Sequence, residues 1–494
     1  MLAFETGLSR FLAVVFVAAL PVTAADIDAR IQRVEQGLRP GTAIGGQPQL
    51  KWTIGERQKF YKVPGVSIAV IANGRVEWAR GYGVIAGNGK PVDAQTLFQA
   101  ASISKPVASM AALRLVDEGK LSLDEDVNLK LRSWKVPESE FTKTQKVTLR
   151  RLLNHSAGLT VHGFGGYAAD AAVPSLLEVL DGKKPANSAP IRVDIVPGTQ
   201  WRYAGGGYEV MQQLVMDVAG KPFPQLAQEF VLGPLGMTRS TYQQPLPAEL
   251  GANAAAGHDS NGVMIEGRWH TYPEMAAAGL WTTPSDLARV VLELQKGGRV
   301  LKPATQREML TKVLGDYGLG IGLSETGGHK AFSHGGANEG FRCMLFGYLE
   351  GGSGAVVMTN GDGGSALADE ILRSISAEYE WPDYRTKERI VASVPPDVLQ
   401  AYAGLYALAP GFEVTVTYDN GRLFAAAQGK KVELFPESPT SFFSLEADVP
   451  AIRFTRASDN SIEMSAGGAT AKRQGKRSVW RRRNAPRRRT VPGP

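Results

Sequence analysis

The sequence predicts an α+β protein in which an antiparallel sheet is built from both ends of the main domain and is flanked by helices. A hairpin pattern at 66–84 turns at Asn73-Gly74, between two apolar runs. A helical pattern with Gly- and Pro-rich loops then covers about 120–300, and strand patterns return at 331–359. Strands at both ends with helices between them imply one sheet packed against helices, plus an all-helical lobe.

The chain is long enough for more than one domain. It has 494 residues, of which 43% are hydrophobic and 21% are charged, as in folded soluble proteins. One large domain with a smaller one beside it is therefore the expected organisation.

The N-terminus has the pattern of a secretory signal. Arg10 precedes the apolar run F-L-A-V-V-F-V-A-A-L at 11–20, and small residues follow up to Ala24. An uncleaved membrane anchor is the alternative, but ten apolar residues are too few to cross a bilayer. We expect residues 1–24 to be a cleaved signal peptide and the protein to be exported, either periplasmic or secreted.

The main domain is expected at 25–385, and its helices show start and stop signals. Residues 283–286 (T-P-S-D) supply a cap, a proline at the first helical position and an acidic first turn. The predicted helices are 26–38, 102–118 with Gly119 as its stop, one opened by Thr283-Pro284, and 365–379.

A second, smaller domain follows a polar linker with several prolines at 386–396. Residues 412–418 (F-E-V-T-V-T-Y) alternate polar and apolar side chains, and 419–421 (D-N-G) form a turn signal. We expect a small all-β domain at 397–471, either a barrel or a sandwich.

The net charge of +7 originates at the C-terminus. Residues 472–489 contain ten basic and no acidic residues, so the rest of the chain, by subtraction from +7, carries −3. Such a body has no electrostatic footprint for nucleic acid. We expect 472–494 to be a disordered, solvated tail, with weak association to an anionic envelope surface as the alternative.

Cysteine and histidine usage gives no sign of a disulfide, a metal site or another cofactor. Cys343 is the only cysteine and lies in an apolar stretch, which favours a buried, inert thiol. The six histidines form no His-Glu-x-x-His pair and have no cysteine partners.

The chain contains one Ser-x-x-Lys, formed by Ser102 and Lys105 in F-Q-A-A-S-I-S-K-P-V-A-S-M at 98–110. Three positions on a helix place both side chains on one face, where they can touch. A hydroxyl beside an amine can be an activated nucleophile, and a simple helix cap is the alternative.

Three further motifs accompany this pair: L-L-N-H-S-A-G-L at 152–159, W-R-Y-A-G-G-G-Y at 201–208 and F-S-H-G-G-A-N-E-G at 332–340. In these motifs, in this order, the sequence resembles the serine β-lactamase and penicillin-binding protein superfamily. The similarity is to its class C β-lactamase-like branch of esterases, D-peptide hydrolases and related enzymes. It covers about 50–385 and implies a β-lactamase/transpeptidase-like fold, with a C-terminal module similar to the small β domain often appended to such enzymes.

The resemblance also implies roles for single residues. Ser102 matches the nucleophile of that superfamily, Lys105 the lysine one turn later, and Tyr203 the tyrosine of its Tyr-x-Asn motif. Either the lysine or the tyrosine takes the serine proton, and the sequence leaves both possibilities open.

The third motif supplies the other side of the implied site. His334, Gly335 and Gly336 stand where the superfamily has Lys-Thr-Gly or His-x-Gly. The backbone N–H groups of Ser102 and Ala337 are the candidate oxyanion hole. The two glycines would let a substrate approach this strand closely.

Two positions depart from the superfamily pattern. The asparagine two residues after the tyrosine is here Gly205, which has no amide to hold an acylamino group. The lysine of Lys-Thr-Gly is His334, which is largely neutral at pH 7 and holds a carboxylate less firmly. Both departures favour an ester or a small D-amino-acid amide as substrate over a lactam.

Other interpretations remain at this stage. A β-lactamase or D-alanyl-D-alanine carboxypeptidase is the enzyme alternative, and a non-catalytic envelope binding protein is the alternative of another class. His155 is expected to order the loop 154–158. The glycines at 205–207 lack the Lys-Ser/Thr of a phosphate loop, and no Gly-x-Ser-x-Gly elbow of an α/β-hydrolase exists.

Overall fold

A computed structural model describes residues 23–87, 89–446 and 449–474. The predicted signal peptide, apart from its last two residues, and the tail beyond Gln474 lie outside the described residues. Thr23 is the N-cap of the first helix, where its side chain and that of Asp26 exchange hydrogen bonds with each other's backbone.

In the main domain, the longer strands lie toward the two ends and helices predominate between them. The helices are α1 (Ala24–Glu35), α2 (Ile54–Tyr61), α3 (Ser104–Asp117), α4 (Leu149–Leu153), α5 (Leu176–Asp181), α6 (Gly205–Ala219), α7 (Phe223–Ala227), α8 (Gly233–Leu235), α9 (Ala248–Gly251), α10 (Met275–Ala278), α11 (Pro284–Lys296), α12 (Pro303–Met309), α13 (Gly364–Glu378) and α14 (Pro396–Ala401). The strands are β1 (Thr42–Ile44), β2 (Gly65–Ala72), β3 (Arg75–Gly83), β4 (Phe98–Gln99), β5 (Trp281–Thr282), β6 (Gly322–Thr326), β7 (His329–Asn338), β8 (Phe341–Tyr348), β9 (Gly354–Thr359), β10 (Lys387–Arg389), β11 (Gly404–Ala409), β12 (Phe412–Asp419), β13 (Arg422–Ala427), β14 (Lys430–Pro436), β15 (Ser441–Phe443), β16 (Ile452–Arg456), β17 (Ile462–Ala466) and β18 (Ala469–Gln474).

The main sheet has six antiparallel strands in the order β3-β2-β9-β8-β7-β6. Its centre joins the two ends of the domain, because Val66 of β2 pairs with Thr359 of β9. This confirms the predicted sheet. Asn73 and Gly74 both have positive φ, of 52° and 68°, as the tight turn between β2 and β3 requires.

Both faces of the sheet are covered. All eight residues of β2 are buried, which is why its sequence is almost continuously apolar. Ala69 and Ile71 face the cluster that includes residues of α3, α6 and α11. Val66, Ile68 and Val70 face the cluster that includes residues of α1 and α13. The helical lobe therefore lies on one side of the sheet and the terminal helices lie on the other.

The region 120–300 is mostly helices and loops, as its interrupted helical pattern predicts. α5 ends at Gly182 and α6 at Gly220, which adopt φ of 64° and 67°. Long irregular segments separate the helices, and side chains hold them: Asp217 accepts backbone bonds from Arg132 at 2.6 Å and Ser133 at 3.0 Å.

The C-terminal domain is a closed barrel of strands β11 to β18. The structure thus selects the barrel from the two predicted all-β forms. Its interior side chains form a hydrophobic cluster that is separate from those of the main domain. In this cluster the rings of Tyr402 and Phe454 stack with their centroids 4.3 Å apart.

Two expected boundaries differ from the structure. The predicted linker 386–396 contains β10, which pairs in parallel with β1 of the main domain. Lys472 and Arg473, expected in the tail, belong to the last barrel strand, where Ala471 is buried and the two basic residues that follow it are exposed. A strand that ends in exposed basic residues is easily taken for the start of a basic tail. Among the described residues, no helix combines the length and apolar character needed to cross a membrane.

Candidate active site

Ser102 lies on a tight turn between β4 and α3. Residues Ala101–Ile103 form a single 3₁₀ turn, and Ala101 has a φ of 49°, in the left-handed region that an alanine rarely adopts. Such a conformation costs about 1–3 kcal/mol and persists where the surroundings impose it. Ser102 is partly exposed, whereas Ala101 and Ile103 on either side of it are fully buried. The turn therefore presents the hydroxyl to a cleft.

Lys105, in the first turn of α3, reaches this hydroxyl. Its Nζ donates to Ser102 Oγ at 3.0 Å and to the Ala277 carbonyl at 2.8 Å. The side chain is only 2% exposed. The rings of Tyr203 and Tyr208 lie 4.9 and 5.5 Å from Nζ, so aromatic faces complete the surroundings of the amine.

Tyr203 is held in place by His155. The His155 carbonyl accepts from Arg202 N–H at 2.9 Å, and His155 Nδ1 accepts from Ala204 N–H at 3.1 Å. The His155 and Tyr203 rings also pack at 4.2 Å between centroids. Residue 155 thus contacts the tyrosine and the backbone on both sides of it. The sequence predicted a role for His155 within its own loop, and these contacts extend that role to the Tyr203 segment.

The His155 imidazole is neutral. Burial lowers its pKa well below the usual 6.5, and the charge of Lys105 lowers it further. Because Nδ1 accepts a hydrogen bond, the ring proton is on Nε2. That Nε2 atom is buried and has no hydrogen-bond partner.

His334 is also neutral, in the opposite tautomer. Its Nδ1 donates to the Gly335 carbonyl at 2.6 Å, so Nε2 keeps a free lone pair and has no partner. Burial, followed by the charge of Lys105, lowers the pKa of His334 to about 3. The sequence predicted a largely neutral His334 that holds a carboxylate less firmly than lysine would. An imidazole with this pKa carries no positive charge at neutral pH, in agreement with that expectation.

One edge of β7 faces the Ser102 turn. Leu349 N–H donates to the Lys330 carbonyl at 2.9 Å. This bond shows that Lys330 and every second residue after it in β7 direct their backbone polar groups toward β8. Gly335 and Ala337 therefore point their N–H groups away from β8. β6 ends its pairing at Ser333, so it does not cover that edge.

Gly336 lets this edge approach the turn. A Cβ at residue 336 would lie 2.2 Å from the Ala100 carbonyl oxygen, closer than any real contact. A Cβ at Gly335 would meet nothing closer than 3.8 Å. The close approach brings the Ala337 segment toward Ser102, as the candidate oxyanion hole requires.

Two buried acids that the sequence analysis missed, Glu209 and Glu274, lie behind the lysine. Glu209 and the amide side chain of Gln212, both on α6, accept from the N–H groups of Ala277 at 3.3 Å and Ala276 at 2.7 Å. They cap α10, whose Ala277 carbonyl binds Lys105. An acid inside the apolar run Y-E-V-M was the available signal, since a charged residue is almost never buried without a partner.

Burial makes both acids hold their protons more strongly than an exposed carboxyl does. Burial raises the pKa of Glu209 well above its usual range, and the neighbouring Glu274 raises it further. Burial raises the pKa of Glu274 to about 7. Both side chains are fully inaccessible to solvent. Protonated carboxyls avoid most of the cost of burying a charge.

The predicted site residues converge on one cleft. The Ser102 hydroxyl and Lys105 are in direct contact, the Tyr203 ring lies against the amine, and the His334 ring is 6.4 Å from that of Tyr203. Cys343 is buried apart from this chemistry, with Sγ donating to the Gln99 carbonyl at 3.2 Å. Burial raises the pKa of this thiol to about 12. Within 23–87, 89–446 and 449–474, no three His, Cys, Asp or Glu side chains are grouped to hold a metal ion.

Comparison with known families agrees with this geometry. The model of the family described as Beta-lactamase matches residues 50–378, which is most of the main domain. The C-terminal barrel matches, at 388–467, a family described only as a domain of unknown function, DUF3471.

Individual relatives are distant but extensive. Penicillin-binding protein 4* of Bacillus subtilis (strain 168) is 24% identical over 434 residues, covering 82% of this chain and 92% of the Bacillus protein. Esterase EstB of Burkholderia gladioli is 26% identical over 278 residues, covering 54% of this chain and 64% of the esterase.

Solved structures share the fold. The octameric penicillin-binding protein homologue from Pyrococcus abyssi superposes with a TM-score of 0.60 at 22% identity, over 85% of this chain and 98% of its own. The D-amino acid amidase from Ochrobactrum anthropi SV3 gives 0.56 at 20% identity, over 72% of this chain and 99% of its own. The chain belongs to the β-lactamase family, and it is a serine hydrolase of the serine β-lactamase and penicillin-binding protein superfamily.

Proposed function

We propose that the protein is an exported hydrolase that forms an acyl-enzyme on Ser102 and cleaves an ester or a small amide, such as a D-amino-acid amide. The observation that carries the proposal is the 3.0 Å contact between Lys105 Nζ and Ser102 Oγ, beside the Tyr203 ring. A serine hydroxyl needs a partner that accepts its proton, and both candidate partners are within this contact group.

The proposed reaction uses these groups in two steps. Ser102 Oγ attacks the substrate carbonyl while its proton passes to Lys105 or Tyr203. The carbonyl oxygen becomes an oxyanion that the N–H groups of Ser102 and Ala337 stabilise. The intermediate then expels the alcohol or amine, which takes up the proton. Water attacks the resulting acyl-enzyme, releases the acid and restores the Ser102 hydroxyl.

The electrostatics of the cleft support an ester or amide over a lactam. Penicillin-type lactams and peptides ending in D-alanine carry a carboxylate, and a neutral His334 offers it no positive charge. Gly205 offers no amide for an acylamino group. The relatives named as an esterase and as a D-amino acid amidase support the same substrate classes.

A β-lactamase or D-alanyl-D-alanine carboxypeptidase is the second candidate. It is favoured by the similarity to penicillin-binding protein 4*, which extends over 82% of this chain. Turnover of a short-chain nitrophenyl ester beside a chromogenic cephalosporin ranks the two candidates. We expect the ester to be preferred, and a decisive preference for the cephalosporin would reverse the order.

Labelling with a fluorophosphonate probe tests the nucleophile. We expect the parent protein to be labelled and Ser102→Ala to lose both labelling and turnover. Ser104→Ala is the matched control, because Ser104 lies in the same motif but its Oγ accepts from Leu280 N–H at 3.0 Å. An unlabelled parent protein would support a non-catalytic binding protein instead.

Export rests on the signal pattern at 1–24 and is tested by the mature N-terminus. We expect the chain purified from the exported fraction to begin at Ala25, as read by mass spectrometry. An intact Met1 in the cytoplasm would contradict export. Weak envelope association through the basic tail is tested with anionic vesicles, whose binding should fall with salt and on deletion of 475–494.

A further inference from the structure

A phenylalanine takes the place of the side chain that residue 205 lacks. A Cβ at Gly205 would lie 2.9 Å from Phe164 Cε2 and 3.3 Å from the His162 carbonyl oxygen. Gly205 N–H donates to that carbonyl at 3.2 Å, which fastens the Phe164 loop to the start of α6. The Phe164 ring therefore fills the space two residues beyond Tyr203, and this half-buried ring packs against the main core.

A second aromatic side chain lies on another side of Tyr203. The Trp201 ring is 6.5 Å from the Tyr203 ring and 5.9 Å from that of Tyr317. Trp201 is 42% exposed, which is unusual for so large an apolar side chain. A Cβ at Gly315, whose φ is 63°, would lie 3.3 Å from Trp201 Cγ, so the loop below packs directly on the indole.

The polar side chains of the cleft provide no partner for a charged group of the substrate. Lys105 already donates to Ser102 Oγ and to the Ala277 carbonyl. His334 is neutral and presents only a lone pair on Nε2. A bound substrate would therefore contact aromatic rings at the places where a peptide-like substrate needs an amide or a cation from the protein.

We propose that Phe164 and Trp201 form two hydrophobic walls of the substrate cleft and select an uncharged acyl group that is aromatic or longer than acetyl. Phe164 also excludes acylamino groups, because its ring occupies the position from which an amide at residue 205 would bind them. This inference rests on the proposed acyl-enzyme function and specifies its substrate class.

The test is a series of nitrophenyl esters with one leaving group and different acyl groups: acetyl, hexanoyl, phenylacetyl and phenylacetylglycyl. We expect the parent to prefer hexanoyl and phenylacetyl to acetyl. Phe164→Ala and Trp201→Ala should each lower the ratio of kcat/KM for phenylacetyl over acetyl by about tenfold, mainly through KM. Phe60→Ala is the matched control, since Phe60 is a 51% exposed aromatic residue on α2 and should leave the ratio unchanged.

A second pair of variants tests the exclusion of acylamino groups. Gly205→Asn alone should lose activity on every ester, because its side chain meets the Phe164 ring. The double variant Phe164→Ala/Gly205→Asn should regain activity and raise the kcat/KM ratio of phenylacetylglycyl over phenylacetyl several-fold. If both walls can be removed without a change in either ratio, the inference is wrong.

The outcomes separate this inference from the function on which it rests. If Ser102 is labelled but the parent turns over none of the esters, the acyl preference is refuted and the nucleophile stands. If Ser102 is not labelled, the proposed function fails. If Phe164→Ala does not fold, as its melting temperature would show, the half-exposed Trp201→Ala decides the matter alone.

Discussion

His155 determines where the Tyr203 phenol points, although it does not reach the reacting atoms. It accepts from the N–H of Ala204, and its carbonyl accepts from the N–H of Arg202. Its φ of 63° aims both the carbonyl and the ring at the same segment. A positioning role of this kind should appear in the rate of the chemical step more than in substrate binding.

We therefore expect His155→Leu to lower kcat about a hundredfold, with KM changed by less than about threefold. The substitution leaves the buried Ala204 N–H without an acceptor and removes the ring that packs on Tyr203. His155→Asn should recover part of kcat, because asparagine tolerates positive φ and supplies an acceptor. His329→Leu, at an exposed histidine on β7, is the control. A large rise in KM with unchanged kcat would contradict the positioning role.

The sequence revealed single residues when their chemistry was unusual for their position. Ser102, Lys105, Tyr203 and His334 stood in recognisable motifs, and the structure brings them into one cleft. Phe164 could not be found in this way, because an aromatic residue in a glycine-rich loop is common. Its significance arises only when folding places it against Gly205.

At the scale of elements, β7 packs directly against the turn that carries Ser102. Gly336 marks the point of contact, and its neighbour Gly335 provides a natural comparison because the two glycines differ in the space around them. The resemblance to known motifs gave both glycines the same role, and only the geometry distinguishes them.

Gly336→Ala should push β7 away from the turn, because the new methyl group would overlap the Ala100 carbonyl. We expect a loss of about 1–3 kcal/mol in the free energy of unfolding and at least a tenfold loss in kcat/KM. Gly335→Ala should change the free energy of unfolding by less than about 0.5 kcal/mol, since its Cβ has room. Denaturant unfolding and ester kinetics measure both effects. Equal destabilisation by the two substitutions would contradict the close packing.

Elements with strong local signals were predicted well, and those set by tertiary pairing were not. The hairpin at Asn73-Gly74 and the helix capped by Thr283 are in the structure as expected. β6 was missed because G-L-S-E-T is polar and short, and it is a strand only through its pairing with β7. The same holds for β1 and β10, which are strands only because they pair with each other.

At the scale of the whole molecule, the buried acids should give the main domain a distinctive pH dependence. The pKa of Glu274 is 4.5 in an ordinary environment and about 7 in the folded protein, because burial disfavours its charge. The folded state thus holds a proton that the unfolded state has lost between these values. Its stabilising effect is complete below pH 4.5 and is lost as the pH rises through 7.

We expect Glu274→Gln to remove this dependence. The difference in free energy of unfolding between the variant and the parent should grow in favour of the variant by on the order of 3 kcal/mol from pH 4.5 to 7.5. Denaturant unfolding at several pH values measures it. The pKa of Glu209 is raised well above its usual range, so we assign this pH window to Glu274. The same substitution at Glu325, exposed on β6, should leave the parent dependence in place, and a flat difference curve for Glu274→Gln would refute the assignment.

The main sheet could be predicted from the sequence, but closure of the C-terminal barrel could not. Apolar patterns at both ends of the main domain specified a sheet made from distant segments, and pairing of β2 with β9 confirms it. The choice between barrel and sandwich could not be made from strand patterns, because both have alternating strands. Closure depends on the pairing of β11 with β18, the first and last strands of the barrel.

The pairing of β2 with β9 also determines when the enzyme can first work. A ribosome that has released Ser102 and Lys105 has not yet made β9, which pairs with β2, or β7, which carries Ala337. The nascent chain must therefore remain catalytically silent until β9 has emerged, and only then can the sheet close around the nucleophile.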